Sequence, residues 1–253
     1  MEEYGPAIEI HDLRKVYGGK AAVDGLHLRV PRGSFYGFLG PNGAGKTTTI
    51  RMLMGLAQPT SGSIRLLGLE MPAEATAIKS RIGLVPEESL LFERLTGAEF
   101  LEFVGRMYGL ARGVARERAE ELLSLFTLSD EPRKLIADYS KGMRKKAAMA
   151  AALIHRPELL MLDEPFEGVD AVAARLMKDL LANLVRQGAT IFLTSHVLEV
   201  VERLCDRVAI IHQGRLILEG TLEELRAGSE TLEDVFVRAV GAGATVEKLD
   251  WLK

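Results

Sequence analysis

Residues 40–47 read GPNGAGKT. This fits G-x-x-x-x-G-K-[ST], a pattern whose glycines let the main chain wrap round a phosphate with successive N–H groups pointing inward. Gly40, Pro41, Asn42, Gly43, Ala44 and Gly45 would form the loop. Lys46 would neutralise β- and γ-phosphate charge, and the Thr47 hydroxyl would ligate Mg2+. Much later in the chain the apolar run 159–162 ends in Asp163 and Glu164. A buried strand there delivers Asp163 to the end of a sheet, where it can hold Mg2+ through water. Adjacent Glu164 points elsewhere and can polarise an attacking water. The segment TIFLTSH, 190–196, puts His196 at another strand end, where it could contact a γ-phosphate and orient the water. These residues spell nucleotide binding and attack of water on the terminal phosphate.

A second anion site is written at 139–150, YSKGMRKKAAMA. Ser140 and Gly142 flank a lysine just before an alanine-rich helical run. Bare N–H groups and positive charge at a helix start suit a phosphate. The chain thus carries two phosphate-binding loops and one set of hydrolytic residues.

The elements that must position these residues follow from periodicity. Segments 7–17 and 21–30 alternate apolar and polar around a glycine turn and predict an antiparallel hairpin. Segment 33–40 is apolar on both faces, as a buried strand is, and 46–56 reads as the helix after the phosphate loop. Short strands are predicted at 62–68 and 81–86. Between Thr96 and His155 the period is helical, at 96–109, 115–127 and 141–155, with no good strand, so an all-helical lobe is inserted there. Strands return at 158–162 and 189–195 around a helix at 171–187. A short helix, a hairpin at 207–220 and an amphipathic helix at 231–240 follow. Strands alternating with helices favour a largely parallel sheet covered on both faces.

Composition sets bounds. Of 253 residues, 47% are hydrophobic and 26% charged, as in an ordinary globular chain with a sizeable core. A net charge of −3 argues against a general nucleic-acid-binding surface. The single cysteine, Cys205, excludes an internal disulfide. Its acidic neighbours Glu202 and Asp206 mark it as a packed thiol rather than an activated one. No apolar run approaches the roughly 20 residues that span a bilayer, and the start lacks the apolar region of a secretory signal. A cytoplasmic protein that reaches membranes through a partner is expected.

The motifs GPNGAGKTT, LLMLDEP and TSH, in this order and spacing, carry a resemblance. The chain resembles an ATP-binding cassette (ABC) transporter ATPase subunit over essentially its full length to about Gly241. The resemblance implies that 40–48, with Thr48, is the Walker A loop, that the strand ending in Asp163 is Walker B, and that His196 is the switch histidine. Asp170 in FEGVD falls at the D-loop. Tyr17 matches the aromatic that stacks on adenine, and YSKGM falls at the signature sequence. The tail TLEDVFVRAVG and the pair in VPEE further resemble ATPases of drug, antibiotic and polysaccharide exporters. The implied fold is the α/β P-loop NTPase fold of ABC ATPases: a largely parallel core sheet, an N-terminal antiparallel β subdomain and an inserted α-helical subdomain. One domain over 1–253 is expected, with its nucleotide-binding core at 1–91 and 156–241. The helical subdomain would take 92–155 and a tail 242–253.

The resemblance accounts for two phosphate loops. In this family two nucleotide-binding domains meet head to tail, and each ATP lies between the Walker loop of one and the signature loop of the other. Ser140 and Gly142 would bind the γ-phosphate of ATP held by a second copy or a paralogue. Two departures stand out. Lys141 and Met143 replace the usual Gly and Gln of the signature, and Glu87 replaces the usual Gln that precedes the helical lobe. A carboxylate at Glu87 can still ligate Mg2+ with Thr47 and Asp163. Arg144, Lys145 and Lys146 read as a solvated helix face. Leu90, Leu91 and Phe92 look exposed, in the region that in this family accepts a short helix of the membrane permease; a core role for these side chains fits the sequence equally well. The expected protein is a peripheral ATPase on the inner face of the cell membrane, binding ATP and Mg2+, a second nucleotide-binding subunit and an integral permease. A soluble ABC-type ATPase acting on ribosomes or DNA is the competing reading. Those relatives join two cassettes or insert a long coiled coil, and this chain shows neither. A GTPase or kinase would leave the signature loop unexplained, and no N-K-x-D guanine motif is present.

Overall fold

The computed structural model of the chain describes residues 5–88, 91–226 and 230–241. Leu90 and the 242–253 tail lie outside the described residues. The alternating segments form β1 (Ile8–Tyr17) and β2 (Lys20–Val30), joined by Gly18 and Gly19 at φ 52° and 82°. Both glycines take the left-handed backbone that a tight hairpin turn needs. Next come β3 (Phe35–Leu39), α1 (Lys46–Leu53), β4 (Ser61–Leu66), β5 (Leu69–Met71), α2 (Ala75–Lys79) and β6 (Ile82–Val85). Three helices follow: α3 (Gly97–Met107), α4 (Arg112–Leu125) and α5 (Lys141–Leu153). The chain returns to the sheet with β7 (Leu159–Asp163), α6 (Ala171–Arg186), β8 (Thr190–Ser195), α7 (Leu198–Leu204) and β9 (Arg207–His212). It ends with β10 (Arg215–Thr221), α8 (Leu222–Leu225) and α9 (Leu232–Val240).

The strands sort into two sheets. One is antiparallel, in the order β2-β1-β4-β5. The other runs β10-β9-β3-β8-β7-β6, with β3, β6, β7, β8 and β9 parallel and β10 antiparallel to β9. Core strands apolar on both faces are explained by the two cores they serve. Phe35 and Leu39 of β3 join the core with the helices, while Tyr36 and Phe38 join the core with the antiparallel sheet and α1. Likewise Leu160 and Leu162 of β7 face the first core, Leu159 and Met161 the second. Side chains alternate along a strand. Asp163 therefore follows Leu159 and Met161 onto the side where α1 packs.

The inserted helices bury an amphipathic interior against α5, with Phe100, Leu101, Ala119, Leu123 and Ala148 in one cluster. A capping box of Thr96 and Glu99 starts α3. Helix α5 lies close on β6, because a Cβ at Gly83 would sit 2.4 Å from the Ala152 carbonyl oxygen. The first helix is shorter than its periodicity predicts. It ends at Leu53 rather than at 56, since Gly55 turns left-handed at φ 66° and closes it. The short β5 and α2 have no counterpart in the sequence reading.

Candidate nucleotide site

The loop between β3 and α1 is shaped by what surrounds it. At Gly40 a Cβ would lie 2.4 Å from the Ile211 carbonyl oxygen, and Gly45 sits at φ 112° with Ala22 carbonyl oxygen 2.6 Å from any Cβ. Neither position admits a side chain, so the main chain of the loop runs close against Ile211 and Ala22. Lys46 starts α1, is buried at 7% exposure, and donates from Nζ to the carbonyl oxygens of Gly40 (2.7 Å) and Pro41 (3.4 Å). Its Nζ lies 4.0 Å from Glu164 Oε1. A cleft of about 240 Å3 opens here, lined by Ala22, Asn42, Gly43, Gly45, Lys46, Thr47, Thr48, Glu87 and Glu164.

Strand β7 delivers the carboxylates. Asp163 is 2% exposed and pairs in register with Thr194 of β8, whose Oγ1 donates to Asp163 Oδ1. Glu164 leaves the strand at φ 48°, and its N–H donates to the Thr194 carbonyl oxygen at 3.2 Å. That left-handed turn swings its side chain away from the direction of Asp163. His196, half-exposed just past β8, brings Nδ1 to 3.0 Å from Glu164 Oε1. One carboxylate oxygen thus faces both a lysine and a histidine.

A family model described as ABC transporter matches residues 23–167, more than half of the chain. The chain belongs to the ABC transporter family. It is 44% identical over 245 residues to the daunorubicin resistance ATP-binding protein DrrA3 of Streptomyces coeruleorubidus, covering 96% of this chain and 78% of that one. It is 41% identical over 221 residues to the Nod factor export ATP-binding protein I of Paraburkholderia xenovorans, covering 87% and 73%. Among solved structures, an ATP-binding subunit of an ABC transporter superposes with TM-score 0.87 at 31% identity, over 92% of this chain and 99% of that one. The dimeric MJ0796, a bacterial ABC transporter cassette, superposes at TM-score 0.79 and 25% identity, over 85% and 98%. This cassette is accordingly an ATP-binding and ATP-hydrolysing subunit within the family.

The remaining predicted residues of the cassette lie outside that cleft's lining. Tyr17, half-exposed at the end of β1, carries Lys15 Nζ 4.9 Å from its ring centroid. Ser140 is exposed and caps α5, its Oγ accepting the Met143 N–H at 3.2 Å. Asp170 caps α6 in the same way, accepting the Ala173 N–H at 2.8 Å. That N–H holds its carboxyl below the ordinary aspartate range, with Lys146 adding to the effect. The α5 start lies against the loop after Glu164. Lys141 Nζ reaches Glu167 Oε1 at 2.7 Å, and a Cβ at Gly142 would stand 3.1 Å from the Gly168 carbonyl oxygen.

One expectation is overturned. Arg144, Lys145 and Lys146 are not a solvated face. Lys145 is 2% exposed and donates to the carbonyl oxygens of Pro86 (3.1 Å) and Glu87 (2.8 Å). It falls on the α5 stripe of Ala148 and Ala152, three and seven residues on, which faces the core. Arg144 is half-buried and binds Glu93 and the Ala137 carbonyl oxygen, while Lys146 Nζ lies 3.9 Å from Asp170. Of the apolar residues ahead of the lobe, Phe92 is exposed and stacks edge-on with Phe103, whereas Leu91 packs against the core. Sequence reasoning also passed over Thr194, although its alternation with Phe192 in β8 puts it on the Asp163 face.

The site also bears on a metal. The described residues hold no group of three or more His, Cys, Asp or Glu that could take one. The donors present are a hydroxyl at Thr47 and carboxylates at Asp163 and Glu87. Such a partial oxygen set fits Mg2+, which usually keeps its waters and takes one or two carboxylates together with substrate phosphates.

Proposed function

We propose that this chain binds ATP with Mg2+ in the 40–48 cleft, and that Glu164 is the base that takes the proton of the attacking water. The observation that carries this is the meeting of Lys46 and Glu164 at one cleft beside the glycine loop, with His196 in contact with Glu164. Loop N–H groups and Lys46 bind the phosphates. Thr47 and Asp163 would hold Mg2+, with Glu87 at its edge; the bound ion would neutralise charge on the β- and γ-phosphates. Glu164 sits where its oxygen is oriented by His196, so the histidine positions the base and senses the γ-phosphate. Tyr17 stacks on adenine.

Ser140, Gly142 and Asp170 serve the second half of the reaction. They lie at the starts of two helices, outside the lining of the chain's own cleft, and in this reading they face the ATP of another subunit. Closure of two subunits round two ATP molecules, and reopening after hydrolysis, would drive an integral permease that exports its substrate. In this reading the nucleotide-binding core is 1–91 and 156–241, and the lobe that carries Ser140 and Gly142 is 92–155. Among the described residues no helix is long and apolar enough to cross a membrane. In this reading the chain sits at the inner face of the membrane, held by the permease.

Complementation tests the shared site. Lys46→Ala cripples the phosphate loop, and Ser140→Arg blocks the signature loop by bulk. Either homodimer has two damaged sites. A mixed dimer has one site with both faults and one with none. A freely exchanging equal mixture is expected to regain ATPase activity that neither variant shows alone. No recovery in a mixture proven to exchange subunits would refute the shared site and leave Ser140 as a helix cap.

A further inference from the structure

Among the described residues two lysines are buried, Lys46 and Lys145. The first belongs to the phosphate loop. The second has no part in the chemistry above, yet a buried ammonium is costly unless its N–H groups are partnered. Burial pulls its pKa below the ordinary lysine value, against Glu167, Asp163 and Glu87, which favour the charge. What it binds is main chain: the Pro86 and Glu87 carbonyl oxygens, at 3.1 and 2.8 Å. These residues leave β6, and Glu87 lines the phosphate cleft. Lys145 itself lies in the first turns of α5, the helix capped by Ser140. Toward its other end the same helix is seated on β6, where Ala152 meets Gly83.

We propose that Lys145 is a positioning residue: it clamps the main chain at Pro86 and Glu87 to α5, so that one rigid helix sets both the Glu87 carboxylate at this chain's own ATP and the Ser140 loop offered to the partner's ATP. Two N–H donors on consecutive carbonyls fix both the position and the orientation of that segment, which a single contact would not. A shift of α5 therefore carries the Glu87 main chain with it. The inference rests on the reading that Glu87 faces bound nucleotide.

The test combines a probe of the loop with a mutant cycle. Glu88→Cys provides an exposed site for a nitroxide label, since native Cys205 is buried. In nucleotide-free protein the label should become distinctly more mobile in Lys145→Met and stay restrained in Lys145→Arg, which keeps the donors. In the cycle, unlabelled Glu87→Gln should raise the Mg2+ concentration for half-maximal ATPase activity. Lys145→Met should reproduce that shift, and the double variant should exceed neither by more than about twofold, as residues acting through one another do. Unchanged label mobility, or independent shifts that multiply, would overturn the clamp. A silent Glu87→Gln would instead count against the nucleotide-facing reading of Glu87, while label mobility would still decide whether Lys145 holds the loop. Should Lys145→Met fail to fold, Lys145→Leu, which likewise removes every donor, takes its place in both measurements.

Discussion

Replacing Glu164 with Gln isolates one function of the site. Shape and volume are conserved, and both side chains tolerate the left-handed turn at φ 48° to the same degree. What is lost is the negative charge and the ability to accept a proton. General-base catalysis contributes about 10²–10⁴ in rate, or roughly 2.7–5.5 kcal/mol at 1.36 kcal/mol per decade. The ground state moves the other way. Glu164 Oε1 lies 4.0 Å from Lys46 Nζ, with both side chains less than a tenth exposed. Two unit charges about 4 Å apart attract by at most ~4 kcal/mol at an effective dielectric of roughly 20. Without that competitor Lys46 is freer to meet phosphate, and it still has the Gly40 carbonyl to hold it in place. Glu164→Gln should therefore bind ATP at least as well as wild type while turning over about 10²–10⁴ times more slowly. Phosphate release measures the rate, and light scattering detects the ATP-loaded dimer that should accumulate. Turnover near the wild-type rate would remove Glu164 from the role of base. Loss of ATP binding together with turnover would mean that the carboxylate holds the loop through Lys46 instead.

Tyr17→Ala should weaken ATP binding by about 1–3 kcal/mol, the scale of base–aromatic stacking, while Tyr17→Trp retains it in an equilibrium titration; equal affinities would leave Tyr17 a hairpin surface residue. The Arg81 guanidinium holds the Glu158 carboxyl below its ordinary range through contacts of 2.6 and 2.7 Å, tying the start of β6 to that of β7. A depressed carboxylate pKa stabilises the fold above the unfolded-state pKa and ceases to do so as pH falls through the folded one. Glu158→Gln should thus cost about 0.2–1 kcal/mol near neutrality, for a pair this exposed, and nothing in strong acid, as urea unfolding at the two pH values would show.

Much of the site was legible because its residues stand at strand ends. GPNGAGKT follows a strand apolar on both faces, and Asp163 ends another, so local pattern alone placed them at one edge of a sheet. The proposed head-to-tail role of Ser140 came from the family resemblance, which gives a second phosphate loop something to serve beside one catalytic set. Lys145 was not, because three successive basic residues look solvated until the helix phase is fixed by Ala148 and Ala152. Thr194 escaped for a related reason. Its partner Asp163 is 31 residues away, and only the pairing of β7 with β8 joins them. The strand order was likewise beyond local reading, as were the three-residue β5 and the five-residue α2, too short to show a period.

The place of β3 in the sheet has a consequence for how the protein is made. This strand, residues 35–39, is flanked by β8 at 190–195 and β9 at 207–212. Its Phe35 N–H is held by Asp206, 171 residues further on. A ribosome adding 5–20 residues per second needs roughly 10–35 s to cover that distance. Until β8 is made, for most of that interval, a wholly apolar strand waits with both edges unpaired, open to other nascent chains. The phosphate loop that follows it is among the first parts synthesised and among the last to be seated. Truncated chains ending before β8 should therefore bind no ATP and depend on chaperones, although they contain the whole of GPNGAGKT.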